Sequence, residues 1–259
     1  MQSIGVAESS RAYLRLIVVS LTFIASLLLS CSTELFAQAS SAYHVFPQFV
    51  DGTLQGGTFY RSTLFATNAT SANASCQYQL YGMSNERLSS TNSFVLPANG
   101  GVIRASTAGT SGFASGYATL NCSGPVLSYL QYEYLSPAGD VLGTASVYSA
   151  PPATAQEFIL PTAAGYRLGL AIANDSDTTA QITLRLGAAG NNEVQTTISI
   201  GPRSKISRFI DELFSIPNGF VPVAVLMQSV GSDPTPFTAV GLSFSGSAFS
   251  TTPPLIFQQ

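Results

Sequence analysis

The chain has 259 residues, a length that admits one or two domains. It is 46% hydrophobic but only 9% charged, where an average soluble protein carries about 25% charged residues, and its formal net charge is −3. It has no basic stripe and no run of like charge, so nothing in it suits nucleic acid or an anionic membrane surface.

Part of the apolar excess sits at the start. Arg11 and Arg15 precede the apolar run from Leu16 to Leu29, and a polar stretch then leads to Ala37-Gln38-Ala39. A positive region, an apolar core and a small-x-small site are the parts of a secretory signal peptide, so residues 1–39 are expected to leave and the mature chain to begin at Ser40. The run is short for a membrane span, which needs about 20 residues. The alternative is a lipid anchor: Leu28-Leu29-Ser30-Cys31 resembles the lipobox of bacterial lipoproteins, which would place an acyl group on Cys31. Removing Glu8, Arg11, Arg15 and Glu34 leaves the net charge unchanged. The expectation is an exported protein, extracellular, periplasmic or at the cell surface, with no transmembrane anchor after cleavage.

In chain order, the rest reads as short alternating strands separated by Gly, Asn, Ser and Pro turns, and it reads twice. His44-Val45-Phe46-Pro47 opens one copy, and Glu157-Phe158-Ile159-Leu160-Pro161 opens the other. Ser62–Asn68 parallels Leu168–Asn174. Cys76, Tyr78 and Leu80 are answered by Ile182, Leu184 and Leu186. The turn at Leu96–Arg104 recurs at Ile200–Ile206, and Tyr117-Ala118-Thr119-Leu120 is matched to Val223-Ala224-Val225-Leu226. Both copies end in Pro-Pro, at Pro151-Pro152 and Pro253-Pro254. The expected organisation is therefore all-β: a first antiparallel sandwich over 44–150, a linker over 151–156 and a second sandwich over 157–254. The helical exception is Ser207–Phe214, with Ser207 as N-cap, apolar residues on one face and Pro217 beyond its end, read as a plug over the second sandwich. Cys76 and Cys122 both fall on the buried faces of their strands. In an oxidising compartment they are expected to form a disulfide bridging the two sheets of the first sandwich.

The layout resembles duplicated β-sandwich, immunoglobulin-like repeats of bacterial secreted and surface proteins. The resemblance rests on the Phe46-Pro47 opening with Asp51-Gly52, the strand ending in Asn68, and Arg208-Phe209-x-x-Glu212-Leu213-Phe214. It implies the fold and assigns no catalytic or ligand residue.

Reactive side chains are sparse. His44 is the single histidine and sits at the start of the first sandwich, where a surface or edge position is expected. A serine hydrolase needs a histidine to carry the proton, and no Gly-x-Ser-x-Gly elbow accompanies this one. Asp211 and Glu212 are adjacent on the proposed helix and diverge by about 100°, unlike the facing carboxyl groups of a glycosidase. Two cysteines and one histidine cannot close a zinc site. Asn174-Asp175-Ser176-Asp177 offers alternate oxygens, which suit a calcium ion or, more plainly, an Asx-turn. No cofactor and no metal is expected. The chemistry left is contact. Tyr129, Tyr132, Tyr134 and Tyr148 form a tyrosine cluster on two late strands; Tyr132 and Tyr134 share the apolar face with Leu130, and Tyr129 is the member expected to point outward. The equivalent turns at Asn68 and at Asn174, Asp175 and Asp177 are candidate binding loops. The functional expectation is a non-catalytic extracellular or cell-surface module for adhesion or assembly, meeting a protein or polysaccharide partner. The alternative is a carbohydrate-binding module accessory to a secreted enzyme.

Overall fold

The computed structural model describes residues 40–88, 91–105, 112–160, 166–188, 192–246 and 248–256; the leader, with Cys31 and the cleavage site after Ala39, lies outside them. The described chain is all-β apart from one short helix, and its sheets are antiparallel.

The first half runs through β1 (Ser41–Thr53), β2 (Phe59–Asn68), β3 (Ala74–Tyr81), β4 (Asn92–Leu96), β5 (Gly100–Ala105), β6 (Ala114–Leu135) and β7 (Val141–Tyr148). Strand β6 has 22 residues because it serves two sheets in turn. It pairs with β3 up to Cys122 and with β1 up to Val126, then with β2 from Leu127 and with β7 from Tyr129. The crossing holds Gly124-Pro125, where the missing Pro N–H and the permissive Gly suit a strand changing sheets. One layer is thus β4-β3-β6-β1 and the other β5-β2-β6-β7. Phe46, Leu64, Leu96, Leu120, Leu130 and Val147 meet between them in one core.

The second half has β8 (Ala155–Ile159), β9 (Arg167–Asn174), β10 (Ala180–Ala188), β11 (Glu193–Ile200), β12 (Ser204–Phe209), helix α1 (Ile210–Leu213), β13 (Pro222–Ser229), β14 (Thr238–Ser245), β15 (Ala248–Thr252) and β16 (Leu255–Ile256). Its layers are β11-β10-β13-β8, extended by β16, and β12-β9-β14-β15. This is the strand plan of the first half, with the long crossing strand divided into β13 and β14. The intervening 230–237 segment carries Gly231, Pro234 and Pro236, which end one ladder before the next begins.

Several sequence expectations are revised. Cys76 and Cys122 are bonded and buried, but they face each other on neighbouring strands of one sheet, with Cα atoms 4.0 Å apart, and do not bridge the two layers. The matching of the late strands shifts by one residue. Leu80 pairs with Ala118 and Leu186 with Val225, so Ala118 corresponds to Val225 and Tyr117 to Ala224. Ser207 is no helix cap: Ser207, Arg208 and Phe209 stay in β12, paired with β9, and the helix is only Ile210–Leu213. A ladder partner outweighs the helical period here. The plug reading stands, since Ile210 and Phe214 lie in the second core. The 151–156 segment is not a free linker: Ala153 pairs with Phe237, and Ala155-Gln156 begins β8. The second half extends past residue 254, because β16 pairs with β8.

His44 is the largest revision. It is buried, because alternation along β1 puts it on the face of Phe46, inside the first half, against Ser149 and Phe46, while the Val45 face meets the second half. Its ring stacks on Phe46 at 6.1 Å. Nε2 lies 2.9 Å from the Ser41 carbonyl, which can only accept, so Nε2 carries the proton; Nδ1 then accepts from the Ser149 hydroxyl at 2.7 Å. Burial lowers its pKa from the usual histidine value. Gln156 holds the corresponding place in β8 and is equally inward, donating to the Phe237 carbonyl and accepting from the Ala239 amide.

The halves also share a core contact. Phe249 of β15 packs on the first core, its ring stacked on Tyr132 at 4.8 Å, and the Thr251 hydroxyl donates to the Ser146 carbonyl. Residues 40–256 are therefore expected to unfold in one cooperative transition. Cys76→Ala should lower that single transition, by about 4 kcal/mol on the loop-entropy scale for a separation of 46 residues. Calorimetry checks this; two separated transitions, only one of them moved by the substitution, would show that the halves unfold independently.

Candidate functional site

The two candidate turns are built alike. The Asn68 side chain donates to the carbonyls of Ala72, Leu96 and Pro97 and accepts from the amide and hydroxyl of Thr70. Asn174 donates to Thr178, Ile200 and Gly201 and accepts from the amide and hydroxyl of Ser176. Asn99 and Arg203, at corresponding points of the next turn, both take left-handed backbone, at φ 53° and 49°. Their amides donate to the Thr70 and Ser176 carbonyls, each at 3.0 Å. Asn68 and Asn174 are fully buried clamps between turns. Their side chains are not available to a ligand, so as binding residues both expectations give way to the Asx-turn reading.

Asp175 turns toward the first half. One carboxylate oxygen accepts from the Tyr117 hydroxyl at 2.8 Å and from Arg203 Nη1 at 3.0 Å, and the other accepts from Tyr43. Burial pushes its pKa up to about 6 against the pull of Arg203. Asp177 is exposed and takes Arg203 Nε at 3.0 Å. The aspartates that could have met calcium are therefore held by an arginine and two tyrosines. Among the described residues no group of three or more His, Cys, Asp or Glu gathers to hold a metal.

Beside this junction lies Lys205, only 2% exposed. Its Nζ donates to Gln48 Oε1, to the Gly116 carbonyl at 2.8 Å and to the Ser115 hydroxyl at 3.4 Å, all on the first half. The Ser207 hydroxyl donates to the same Gln48 oxygen at 2.9 Å. Burial pushes the ammonium down to about 7; three acceptors match its three protons and oppose that shift. Gly116 is needed here, since a Cβ would stand 1.8 Å from the Tyr81 carbonyl oxygen. Perturbed pKa values often mark active sites, but these groups are closed in by protein and point at one another. Their work is to join the halves.

The exposed feature is elsewhere, on the outer face of the β5-β2-β6-β7 layer. Ile103, Phe65, Tyr129 and Tyr148 are direct cross-strand neighbours, one from each of four adjacent strands. They form a straight apolar row. Phe65 and Tyr129 stack at 4.8 Å with planes 5° apart, and Tyr148 adjoins Tyr129 at 5.8 Å. Ile103 and Tyr148 are 66% and 45% exposed. Tyr129 faces outward, as its place in the alternation required, and Tyr132 is core; Tyr134 is half-buried against Tyr60 at 5.1 Å. Tyr129 and Tyr148 belong to the tyrosine cluster visible in the sequence, where Tyr129 alone is expected to face outward; Phe65 and Ile103 are not singled out there. The signal for Phe65 was present: Leu64 and Phe65 are adjacent, so the strand is apolar on both faces. Lys205 carried no such signal, because its partners lie more than 80 residues away in sequence.

Compared with known proteins, the chain matches no family model and no curated protein. One solved structure it resembles in part is the "Crystal Structure of Thermotoga maritima 1070", at 20% identity over 42% of this chain and 97% of that one, with a TM-score of 0.32. A likeness that shallow bears on neither fold nor function. No helix of the described residues is long and apolar enough to cross a membrane.

Two outcomes follow from the buried polar groups. Asn174→Ala should destabilise by about 2–3 kcal/mol, since it leaves buried carbonyls without a donor, and should leave any surface contact of the aromatic row unchanged; chemical denaturation measures the first. For Lys205 the folded pKa, about 7, lies below the ordinary lysine value of 10.5. Between those values the unfolded chain holds a proton that the folded chain lacks. Stability should therefore rise with pH from about 7 toward 10, by at most about 1.4 kcal/mol per pH unit. Lys205→Met should remove that slope in denaturation curves taken from pH 7 to 9.

Proposed function

We propose that this chain is an exported, immunoglobulin-like surface module that catalyses nothing and works by contact through the aromatic row of its first half. The disulfide, and the absence of a membrane-crossing helix among the described residues, are consistent with export. The observation that carries the reading is the division of roles among side chains. His44, Lys205 and Asp175, the groups best suited to proton transfer, are each enclosed and hydrogen-bonded within the fold. The outer face of the β5-β2-β6-β7 layer presents an uncharged row, Ile103–Phe65–Tyr129–Tyr148, whose end members are exposed and whose stacked central pair is half-buried.

The row favours a protein partner over a polysaccharide. A sugar ring stacks on the open face of an aromatic ring. Here the faces of Phe65 and Tyr129 are turned on each other, so they present edges outward. Aligned edges with aliphatic neighbours suit an apolar protein surface. The exported chain should show no turnover on esterase, protease and glycosidase panels, and no retention on insoluble polysaccharides or a glycan array. Polysaccharide binding lost in Tyr129→Ala would favour the carbohydrate-binding alternative. Turnover that co-purifies with the chain through successive columns would overturn the non-catalytic reading.

A further inference from the structure

The two halves share a strand plan, so each surface of one half has a counterpart on the other. The contact between them uses two different surfaces. The second half contributes the outer face of β12-β9-β14, which is where Lys205 and Ser207 lie; the first half contributes the outer side of β1 and the start of β6, with Gln48, Ser115 and Gly116. Such a contact is head-to-tail, and it leaves one surface of each kind unfilled in the chain.

The unfilled surfaces have changed character together. Ala171 pairs with Ser207 and Val240, as Phe65 pairs with Ile103 and Tyr129. The aromatic row is therefore the first half's counterpart of the face that carries Ser207, and Gly101 stands where the second half has Lys205. On the receiving side, Phe158 pairs with Val225 as Phe46 pairs with Ala118. Ser115 and Gly116 thus correspond to Pro222 and Val223, and Pro47 to Ile159. Ile159 and Val221 are 65% and 53% exposed, and Leu255 of the adjoining β16 is 38% exposed. The internal contact adds Lys205 and Ser207 to an apolar face and sets them against polar acceptors, whereas the open counterparts have Gly101 and Ile103 on one side and Pro222 and Val223 on the other. The lysine and its polar acceptors are thus missing together from the open pair, which leaves two apolar surfaces of matching kind.

We propose that chains associate head-to-tail, with the aromatic row of one chain seated on the Ile159–Val221–Leu255 surface of the next, repeating between chains the contact that joins the halves within one. The inference rests on the reading of the row as a protein-binding face and names the occupant as a second copy of this chain. A contact between two unlike surfaces does not close on itself after one step, so chains keep adding, into a ring or an open series, and do not stop at a single dimer.

The test uses the chain exported from a bacterial host and followed by sedimentation velocity over a wide concentration range. The wild type should show species growing past the dimer as concentration rises. Tyr129→Asp and Ile159→Asp, both at solvent-facing positions, should each be monomeric at every concentration, with unchanged far-ultraviolet circular dichroism and an intact disulfide. Each variant keeps one surface, so an equimolar mixture of the two should recover a dimer and nothing larger. A wild type that is monomeric throughout would overturn the proposal while leaving the non-catalytic reading to its own assays. Dimerisation retained in Ile159→Asp but lost in Tyr129→Asp would also overturn it, because the row would then be pairing with itself.

Discussion

Strand β1 can be buried on both faces only because the second half lies against it. Antiparallel sheets with one face in water alternate apolar and polar residues, whereas β1 is buried continuously from His44 to Val50. That single contact determines the state of groups that would otherwise be free. It encloses Lys205, presses Asp175 against Tyr43 and Tyr117, and sets Phe249 against Tyr132. It also converts the face of β9 and β14 into core: Ala171, Val240 and Leu242 form a cluster of their own beneath β1.

The same sheet face has two fates. In the second half it carries small and aliphatic residues with a lysine at its border, and it is covered. In the first half it carries an aromatic row and is open. A buried lysine needs its full set of acceptors or it destabilises the contact, so the internal junction is selective as well as tight. The open row has no such requirement and can seat any apolar surface of fitting shape, here supplied by the other half of a neighbouring chain.

His44, Lys205 and Asp175 are each engaged by hydrogen-bond partners inside the fold. The neutral tautomer of His44 is set by the Ser41 carbonyl, and Gln156 does equivalent work in the second half with an amide. An amide in the histidine's place means that the position asks for a bridging donor and acceptor and not for proton exchange. Asn68 and Asn174 likewise clamp turns, which explains why each begins an Asn-x-Ser/Thr triplet: the residue two positions on supplies the amide and hydroxyl that the asparagine accepts.

The sequence alone determined the all-β class, the pairing of Cys76 with Cys122 and the side of its strand on which Tyr129 lies, because each follows from local alternation or from counting. Tertiary structure decided the rest. The disulfide joins neighbours in one layer because β6 runs through both layers, which no local pattern reveals. Ser207 stayed in a strand because β9 offered a ladder and Gln48 an acceptor. His44 became core because β1 lies within the first sandwich and brings it to Ser149 and Phe46, and Lys205 found its three acceptors only when the second half folded back on β1. Period-two alternation specifies which residues share a face but not what covers it. The covering groups here come from the other half of the chain, and which half covers which is set by shape and polar pairing across that contact.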